Sequence, residues 1–245
     1  LLYSIKCNQT RPPPDPNMKR LAVLSGAGVS KESGINTFRD TNGLWEQYPV
    51  EDVASIEGWY KNPKLVLEFY NMRRRALANC SPNLAHKLIA ELENHFLVDV
   101  ITQNVDNLHE KGGSTNIIHL HGELTKARGE YSEDTIYEIG YNDINWGDKT
   151  PSGEQLRPHI VWFGEAVPMI EKAAGIIEKC DILLVIGTSL NVYPAAGLIH
   201  YIKNGTPLYL IDPHPIKVNY PYYTQIENVA TKGMEIFTEL ILKEK

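Results

Sequence analysis

Four short apolar runs divide the chain into regular units. They span residues 21–24, 96–102, 182–186 and 208–211 and are rich in Leu, Val and Ile. Runs of this kind are typical of strands in a parallel sheet that is covered on both faces. Glycine or polar residues follow each run at once, so the sequence also predicts where each strand ends.

Helical patterns alternate with these strands. Asn62-Pro63 and Ser81-Pro82 each pair a capping residue with a first-turn proline, which predicts two helix starts. Further helices are predicted at residues 168–179, 194–203 and 234–242. The alternation predicts an α/β fold with right-handed crossovers. The apolar face of the helix after Ser81-Pro82 comprises Leu84, Leu88, Ile89 and Leu92.

Domain organisation follows from the segments that break this alternation. Residues 126–155 are acidic and show little periodicity, and residues 49–79 add helices between the first two strands. We therefore predict a Rossmann-like parallel sheet with helices on both faces plus a smaller inserted domain, all within residues 18–245. Residues 1–17 are proline-rich, so we expect them to have been added for expression or to form a native flexible arm.

Composition and charge disfavour several functional classes. The chain has 245 residues and a net charge of −6, whereas broad nucleic-acid binding needs a basic face. No apolar run approaches the length of a membrane span. The three cysteines, Cys7, Cys80 and Cys180, form no Cys-x-x-Cys pair, which disfavours a cysteine zinc site and fits a reducing compartment. We therefore predict a cytoplasmic location without nucleic-acid or membrane partners.

Polar residues cluster where the predicted strands end, which is the edge that binds ligands in open α/β sheets. Gly26-Ala27-Gly28 suits a tight turn that brings backbone N–H groups to a phosphate, although a ligand-free turn is also compatible. The long polar stretch that begins at Ser30 includes Phe38 and Arg39. We interpret this pair either as an aromatic shield beside a cation or as a buried ring beside a surface ion pair.

The other strand ends carry amides, hydroxyls and carboxylates. Gln103, Asn104 and Asp106 could hold ribose hydroxyls or a leaving amide, and the alternative is a helix cap. Gly187-Thr188-Ser189 follows the third strand with small donors, and Asp212 follows the fourth with a carboxylate suited to a ribose diol. Their shared position at one sheet edge favours a common ligand site.

Two histidines, His119 and His121, lie in an otherwise apolar run just before Gly122. In a strand, side chains two residues apart point to the same face. The pattern is compatible with a metal pair, with a catalytic base beside a structural histidine, or with two polar residues at a strand end.

The order of five sequence blocks resembles the sirtuins, the NAD-dependent lysine deacylases. The blocks are GAGVSKESGINTFRD, TQNVDNLHEKGG, HLHGEL, VWFGEAVP and GTSLNVYPAAG, and the resemblance extends from Lys19 to the C-terminus. It implies NAD as the cofactor and acylated-lysine peptides or proteins as substrates. In the family mechanism the acyl oxygen attacks C1′ of the nicotinamide ribose, and a histidine then acts as base on the ribose hydroxyls. Nicotinamide, O-acyl-ADP-ribose and free lysine are the products.

The resemblance also implies residue roles. His121, just before Gly122, matches the catalytic histidine of the family. A neutral imidazole suits this role, because it can act as a base at cytoplasmic pH. His119 matches no required position and is expected to be structural. Asn104 and Asp106 match catalytic positions in the nicotinamide and ribose site. The matching cofactor-binding positions are Gly26, Ala27, Gly28, Ser30, Phe38, Arg39, Gln103, Gly187, Thr188, Ser189 and Asp212. The segment that matches the substrate-pairing strand consists of Val161, Trp162, Phe163, Gly164 and Glu165.

One departure from the family pattern concerns zinc. Most sirtuins carry two cysteine pairs between the blocks HLHGEL and VWFGEAVP, but residues 123–159 contain no cysteine here. We therefore predict no zinc and expect ordinary packing to hold this acidic segment. The candidate packing residues are Tyr131, Tyr137, Tyr141 and Trp146.

Tyr70 and Arg73 lie three residues apart on a predicted helix and therefore share a face. A guanidinium can bind a carboxylate bidentately, and a tyrosine hydroxyl can add a third hydrogen bond. The pair resembles the sirtuin branch that removes succinyl and malonyl groups. The alternative is a solvated basic face formed by Arg73, Arg74 and Arg75, with Tyr70 in the core.

Other functions are compatible with parts of the pattern. The same NAD chemistry could transfer ADP-ribose to protein or to water, and a non-catalytic NAD-binding or peptide-binding module could retain the fold. Asn104, Asp106 and His121 favour deacylation over both. A hydride-transferring dehydrogenase is disfavoured for two reasons. Lys31 stands where the dinucleotide-binding fingerprint requires a third glycine, and no acidic residue lies at the expected end of a second strand about twenty residues on.

Overall fold

The computed structural model describes residues 17–35, 48–132 and 135–243. Phe38 and Arg39 lie outside the described residues, as does nearly all of the predicted N-terminal arm. The strands of the main sheet are β1 (Arg20–Ser25), β2 (Leu97–Thr102), β3 (Ile117–His119), β7 (Ile182–Ile186), β8 (Leu208–Asp212) and β9 (Tyr223–Glu227). A second sheet contains β4 (Gly122–Gly129), β5 (Ile136–Glu138) and β6 (Leu156–Ile160).

The main sheet is entirely parallel and has the order β3-β2-β1-β7-β8-β9. Strand order reverses between β1 and β7, and ligands of such sheets bind outside the carboxyl ends of the strands at this point. The second sheet is antiparallel, with the order β5-β4-β6. The predicted Rossmann-like parallel sheet with a smaller added unit is confirmed.

Helices connect and cover these strands. The α-helices are α1 (Val50–Val53), α2 (Ile56–Lys61), α3 (Pro63–Ala78), α4 (Leu84–Glu91), α5 (Leu108–Gly112), α6 (Ile170–Lys179) and α7 (Ala230–Lys243). Three 3-10 segments span Ala27–Ser33, Leu92–Asn94 and Ala195–Tyr201. Among the described residues, no helix combines the length and the apolar character that crossing a membrane requires.

The apolar runs form strands because both of their faces are buried. Along β1, Leu21 and Val23 pack against α4 and α7, while Ala22 and Leu24 point to the opposite face, which α6 covers. A third apolar cluster lies between α1, α2, α3 and the antiparallel sheet, and it includes Trp59, Phe69, Tyr70, Leu124 and Trp162. This third cluster fixes the small unit beside the carboxyl edge of the main sheet.

Local capping explains two differences from the predicted helices. The helix expected after Ser81-Pro82 begins instead at Leu84, because the Asn83 side chain accepts from the Ala85 N–H and His86 Nδ1 faces the Asn83 N–H. Leu84 is consequently 41% exposed rather than part of the apolar face. The helix predicted at residues 194–203 is a 3-10 segment over Ala195–Tyr201.

The aromatic residues expected to hold the acidic segment behave in two ways. Tyr137 and Tyr141 pack against the third cluster, and Tyr141 is hydrogen-bonded to Asn107. Tyr131 and Trp146 are 76% and 52% exposed, so the prediction is wrong for these two. Hydrogen bonds from the backbone of Tyr131 and Ser132 to the Glu154 carboxylate stabilise this part of the segment instead.

Candidate active site

Two glycine turns meet at the point where strand order reverses. The turn after β1 donates the Gly26 N–H to Ile186 and the Gly28 N–H to the Gly187 carbonyl, at 3.0 and 2.8 Å. A Cβ atom on Gly28 would lie 2.7 Å from the Gly187 Cα, so the two backbones can approach only without side chains. The glycines predicted to bind a phosphate therefore connect the carboxyl ends of β1 and β7.

This contact corrects one part of the phosphate prediction. The N–H groups of Gly26 and Gly28 are already hydrogen-bonded within the protein and cannot also be donated to a phosphate. Gly26 and Gly28 thus shape the turn, and Ala27 lies between them at the start of the 3-10 segment.

The turn after β7 adjoins a cavity of about 430 Å³. Ser189 lines this cavity, as does Asp212, whose Oδ1 accepts from the His214 N–H at 2.9 Å. Gln103 donates through Nε2 to Thr188 Oγ1 at 3.2 Å, which links the end of β2 to the end of β7. The structure thus brings the predicted residues Gln103, Thr188, Ser189 and Asp212 to one edge.

Ser30 joins two predicted catalytic residues from inside the protein. Its Oγ accepts from Asn104 Nδ2 at 3.1 Å and donates to Asp106 Oδ2 at 3.0 Å. Asp106 Oδ1 also accepts from the Leu108 N–H, so this carboxylate caps the start of α5 as well. Burial raises the pKa of Asp106, and these two hydrogen bonds oppose that rise.

The position of Ser30 corrects its predicted role. Its side chain is fully buried, so it does not offer a solvent-accessible contact to a cofactor. It acts on the site through Asn104 and Asp106, which are themselves only 7% and 5% exposed.

Two buried histidines beneath this network were not anticipated from the sequence. His109 Nε2 lies 2.9 Å from Ser25 Oγ, and His86 Nε2 lies 3.4 Å from Ser30 Oγ. The two rings meet edge to face with centroids 5.0 Å apart. Burial lowers the pKa of His86 to about 4 and that of His109 well below its ordinary value. Both imidazoles are therefore neutral parts of the interior, which no apolar periodicity could indicate.

His121 lies at the carboxyl edge of the main sheet, between β3 and β4. Its Nδ1–H donates to the Gln103 carbonyl at 3.0 Å, so the lone pair of the neutral ring is on Nε2. Burial lowers the pKa of His121, and the bond to Gln103 opposes this shift. The ring is thus a neutral base near pH 7, with one nitrogen committed to the protein and the other available for chemistry.

His119 has the opposite electrostatic state. Its Nε2 lies 2.7 Å from Glu110 Oε1, and its Nδ1 lies 3.0 Å from the Asn104 carbonyl. Burial alone would lower the pKa of His119, but Glu110 and Glu123 outweigh burial and raise it. The two histidines therefore differ electrostatically: the pKa of His119 is raised, whereas that of His121 is lowered.

Gly122 fixes the direction of the chain just after His121. Its φ is +79°, and a Cβ atom there would overlap the carbonyl oxygen of His159 on β6. The His121 carbonyl in turn accepts from the Val161 N–H at 2.9 Å. The glycine therefore lets the catalytic-site segment and the predicted substrate segment lie side by side.

The predicted substrate segment is only partly available for pairing. The Phe163 N–H donates to Ala54 and the Phe163 carbonyl accepts from Ile56, so its backbone cannot pair with a peptide. Its ring is 50% exposed and is what Phe163 presents to solvent. Gly164 has a φ of +91° and turns the segment away from its strand direction.

The structure corrects the prediction that Glu165 contacts substrate. Its carboxylate accepts from Arg157 at 2.7 and 2.9 Å, from Arg128 at 3.2 Å and from the Trp162 N–H at 2.8 Å. The Arg157 guanidinium also stacks 3.5 Å from the Trp162 ring centroid. Glu165 is therefore an internal anion that fixes the segment around Trp162. Arg157, its main partner, was not indicated by the sequence.

Tyr70 and Arg73 lie beside this segment on α3. The Tyr70 hydroxyl accepts from Trp162 Nε1 at 3.0 Å, and its ring lies 5.6 Å from the Arg73 guanidinium. Burial lowers the pKa of Arg73, which is held charged by Tyr70 and Asp106. The neighbouring Arg74 is fully buried and donates to Leu124 and Asn71, so the alternative of a solvated basic face is wrong for it.

Comparison with known proteins identifies this arrangement. The family model described as "Sir2 family" matches residues 26–194. The chain belongs to the Sir2 family. It is 53% identical over 231 residues to an NAD-dependent protein deacylase of Bacteroides thetaiotaomicron, covering 92% of this chain and 99% of that protein. It is 51% identical over 211 residues to one of Helicobacter pylori, covering 86% and 92%.

Solved Sir2 structures share the whole fold. A Sir2 homologue in complex with NAD superposes with a TM-score of 0.83 at 37% identity, covering 93% of this chain and 91% of that one. A Sir2 homologue bound to ADP-ribose gives the same TM-score at 36% identity, covering 93% and 94%. The sirtuin resemblance of the five sequence blocks is therefore confirmed. The cavity lined by Ser189 and Asp212 adjoins these turns at the carboxyl edge, which is where sheets of this kind bind a dinucleotide.

Residues 123–159, where the resemblance to the sirtuins implies a zinc site, contain no cysteine, and the absence of zinc stays a prediction. Where β4 ends, a Cβ atom on Gly129 would overlap the Glu154 carboxylate. That carboxylate accepts from the Tyr131 N–H and from both the N–H and the hydroxyl of Ser132, at 2.6 to 3.1 Å. Amide and hydroxyl donors bind an anion and do not ligate a cation, so the described residues do not fit zinc at this position.

One other group of side chains has ligand-type atoms close together. Among the described residues, only Glu110, His119 and Glu123 bring three such atoms within 4.8 Å of one another. Lys126 Nζ lies 2.6 Å from Glu123 Oε2, and His119 already contacts Glu110. These contacts form an ion-pair cluster, and we assign no metal to it.

Proposed function

We propose that this chain is an NAD-dependent protein deacylase in which His121 is the general base and Arg73 selects acidic acyl groups. Its substrates would be acylated-lysine peptides or proteins, and its products nicotinamide, O-acyl-ADP-ribose and free lysine. The observation that carries the proposal is the placement of a neutral, Gln103-bound His121 at the nucleotide-binding edge of a Sir2 fold. The low cysteine count supports a cytoplasmic location.

His121 suits the removal of a proton from a ribose hydroxyl. Its Nδ1–H bond to Gln103 fixes the tautomer in which Nε2 is the acceptor. Its lowered pKa favours the unprotonated form of this acceptor at neutral pH. When bound, NAD supplies the activated ribose carbon to which the acyl oxygen is transferred.

Asn104 and Asp106 act from one side of this base. Ser30 holds both of their side chains, and Asp106 also caps α5, so their positions depend on one shared hydroxyl. We assign them to the nicotinamide and ribose portion of the site, with Gln103, Thr188, Ser189 and Asp212 along the rest of the edge. Phe38 and Arg39 remain proposed cofactor-loop residues outside the described part of the chain.

The acyl preference rests on the hydrogen bonding of Tyr70. Its oxygen accepts from Trp162 Nε1 and is hydrogen-bonded to the Arg73 side chain. The Tyr70 side chain is only 1% exposed, so it lies in the core and orients Arg73 rather than meeting a ligand itself. The Arg73 guanidinium suits a terminal carboxylate of succinyl- or malonyl-lysine, whereas a plain acetyl group gives it nothing to bind.

A peptide panel tests the acyl preference. Acetyl-, malonyl-, succinyl- and glutaryl-lysine peptides are incubated with and without NAD, and released nicotinamide is measured. Arg73→Met is expected to lower kcat/KM on succinyl-lysine about ten- to hundredfold, the loss of one charge-assisted contact, and to spare acetyl-lysine. Arg75→Met is the matched control, because Arg75 lies on the same helix but pairs with Asp143 at the surface. Equal losses on both substrates would refute the assignment of Arg73.

His121→Ala tests the proposed base. The variant is expected to bind NAD and to lose deacylation, because alanine cannot accept the proton that the proposed mechanism removes from a ribose hydroxyl. Mass spectrometry of the parent reaction distinguishes O-acyl-ADP-ribose from ADP-ribosylated protein and from free ADP-ribose. Turnover by the variant equal to that of the parent would remove His121 from the mechanism.

A further inference from the structure

His119, at the end of β3, and His121, just after it, donate hydrogen bonds from their side chains beyond the point where backbone pairing between β2 and β3 ends. Beyond Thr102 the chain leaves β2, and its next two carbonyls have no strand partner of the usual kind. The Leu120 N–H donates to Thr102 at 2.9 Å, whereas Gln103 and Asn104 accept from the imidazoles of His121 and His119, each at 3.0 Å. Imidazole N–H groups thus replace backbone N–H groups where the active-site segment begins.

His119 meets an acceptor at both ring nitrogens. Nδ1 faces the Asn104 carbonyl, and Nε2 faces the Glu110 carboxylate at 2.7 Å. A carbonyl and an ionised carboxylate can only accept, so both ring nitrogens must carry protons. The His119 side chain is 8% exposed, which limits competition from water. The geometry therefore requires an imidazolium at this position, in contrast to the singly bonded ring of His121.

The titratable groups around His119 come from α5, from β4 and from the segment that precedes α5. Glu110 is on α5, and Glu123 is on β4 with its Oε1 3.9 Å from His119 Nε2. Lys126, also on β4, pairs with the other oxygen of Glu123. Asp106 and His109 lie near enough to interact electrostatically with the ring. The anions dominate, since the pKa of His119 is raised although burial opposes this, and the pKa of Glu110 is lowered.

Asn104 is held from three directions. Its N–H donates to Thr102 Oγ1 and its side-chain amide donates to Ser30 Oγ, each at 3.1 Å. Its carbonyl accepts from His119. The first two bonds fix Asn104 from β2 and from the 3-10 segment, and among the described contacts the bond from His119 fixes it from the side of α5 and β4.

We propose that His119 is a positioning residue for deacylation, which as an imidazolium ties the Gln103–Asn104 segment to α5 so that Asn104 and His121 keep their relative placement. The inference rests on the roles proposed above for Asn104 and His121. It has a consequence for pH: activity falls at acid pH when His121 gains a proton, and falls again at alkaline pH when His119 loses one. The charge of a residue that touches no substrate would then set the alkaline limb.

A pair of substitutions separates the two contacts of His119. The amide nitrogen of an asparagine falls near the position of imidazole Nδ1, and that of a glutamine near Nε2. His119→Asn therefore retains the donor to Asn104, whereas His119→Gln retains the contact to Glu110 instead. The proposed tie needs both contacts, so we expect kcat at pH 7 to fall about ten- to hundredfold in both variants, with the melting temperature and KM for peptide unchanged. A loss only in His119→Gln would show that the contact to Glu110 is dispensable and would overturn the role of the imidazolium.

Glu110→Gln tests the charge. The amide oxygen still accepts from Nε2 but carries no charge, so the His119 proton is held less tightly. The alkaline limb of the kcat profile is expected to move to lower pH, while the acid limb set by His121 and the melting temperature remain in place. An alkaline limb that does not move would overturn the claim that the His119 charge governs it.

The remaining outcomes also decide the matter. Equal losses in His119→Asn and His119→Gln together with a lower melting temperature would reduce His119 to a structural residue. Parent-like kcat in both, or a loss only in His119→Asn, would remove the link to Asn104. A parent protein that releases no nicotinamide from any acyl-lysine peptide would instead contradict the proposed function, so the two failures are distinguishable.

Discussion

The carboxyl edge of the main sheet and the neighbouring side proposed to bind substrate are built in different ways. At the edge, backbone meets backbone: Gly28 donates to Gly187, and Gly122 lies against the carbonyl of His159. On the substrate side, which comprises Tyr70, Arg73, Arg157, Trp162 and Glu165, long polar and aromatic side chains hold one another. The first region depends on the absence of side chains and the second on their pairing.

This difference teaches what each region tolerates. An added methyl group at the edge has no space, whereas the buried side chains of the second region depend above all on a matched charge between Glu165 and its arginines. The substitutions below probe the two regions in order of expected effect.

The largest effect is expected for Gly122→Ala. The new Cβ would overlap the His159 carbonyl oxygen at a φ of +79°, so both strain and a backbone shift follow. We expect a loss of more than about 3 kcal/mol in the free energy of unfolding and of nearly all activity. Gly140→Ala is the control: its φ is +57°, but nothing lies within 4 Å, so only about 1 to 2 kcal/mol of strain is expected. Urea denaturation of both variants measures the difference, and similar losses would show that the His159 contact is unimportant.

Glu165→Gln probes the substrate side. Removal of the charge leaves Arg157 and Arg128, with side chains 2% and 9% exposed, without their shared carboxylate. A broken buried ion pair costs about 3 kcal/mol, so we expect the free energy of unfolding to fall by that amount. Thermal denaturation of the variant and the parent measures the loss.

Asp143→Asn is the matched control for this substitution. It breaks the more exposed pair with Arg75 and is expected to cost less than about 1 kcal/mol. If the two variants were equally stable, the Glu165 cluster would be no more than a surface pair.

A pH dependence of stability tests the buried histidines under the sheet edge. His86 has a folded-state pKa of about 4, below the ordinary 6.5. Its contribution is therefore present in full above pH 6.5 and is lost as the pH falls toward 4, because the unfolded chain takes up the proton first. The difference corresponds to roughly 3 kcal/mol at most.

His86→Gln removes this titration and is expected to reduce the loss of unfolding free energy between pH 7 and pH 4. His200→Gln, which removes an exposed imidazole, is expected to leave that loss unchanged. Chemical denaturation at the two pH values measures both. Parallel pH dependences in the parent and His86→Gln would mean that His86 is not buried in its neutral form.

How much the sequence could predict follows from the same contrast. The parallel strands were predictable because each buries both faces, and the placement of Gly26, Gly187 and His121 followed from where those strands end. The inward orientation of Ser30 was not, since its partners Asn104 and Asp106 lie more than seventy positions away. Glu165 was misassigned because nothing in its own segment indicates that Arg157 folds back over Trp162.

The helix and loop differences have local causes of the same kind. Asn83 competes with Ser81 as a helix cap, and propensity alone does not choose between them. Similarly, nothing in the composition of residues 126–155 indicates that Glu154 gathers the N–H groups of Tyr131 and Ser132. Sequence patterns report burial and periodicity, whereas these contacts depend on which polar groups the completed fold brings together.

The smallest effect is expected where the edge does use side chains, at Thr188. Thr188→Val keeps the shape but removes the oxygen that accepts from Gln103 Nε2 at 3.2 Å and from the Leu190 N–H at 3.3 Å. One neutral hydrogen bond contributes about 0.5 to 1.5 kcal/mol, so KM for NAD is expected to rise roughly two- to tenfold with kcat little changed. Thr231→Val, which breaks a surface bond to Glu32, is expected to leave KM for NAD unaltered. A rise far beyond tenfold in Thr188→Val would mean that side chains, and not the glycine backbones, dominate cofactor binding at this edge, which would reverse the contrast between the two regions.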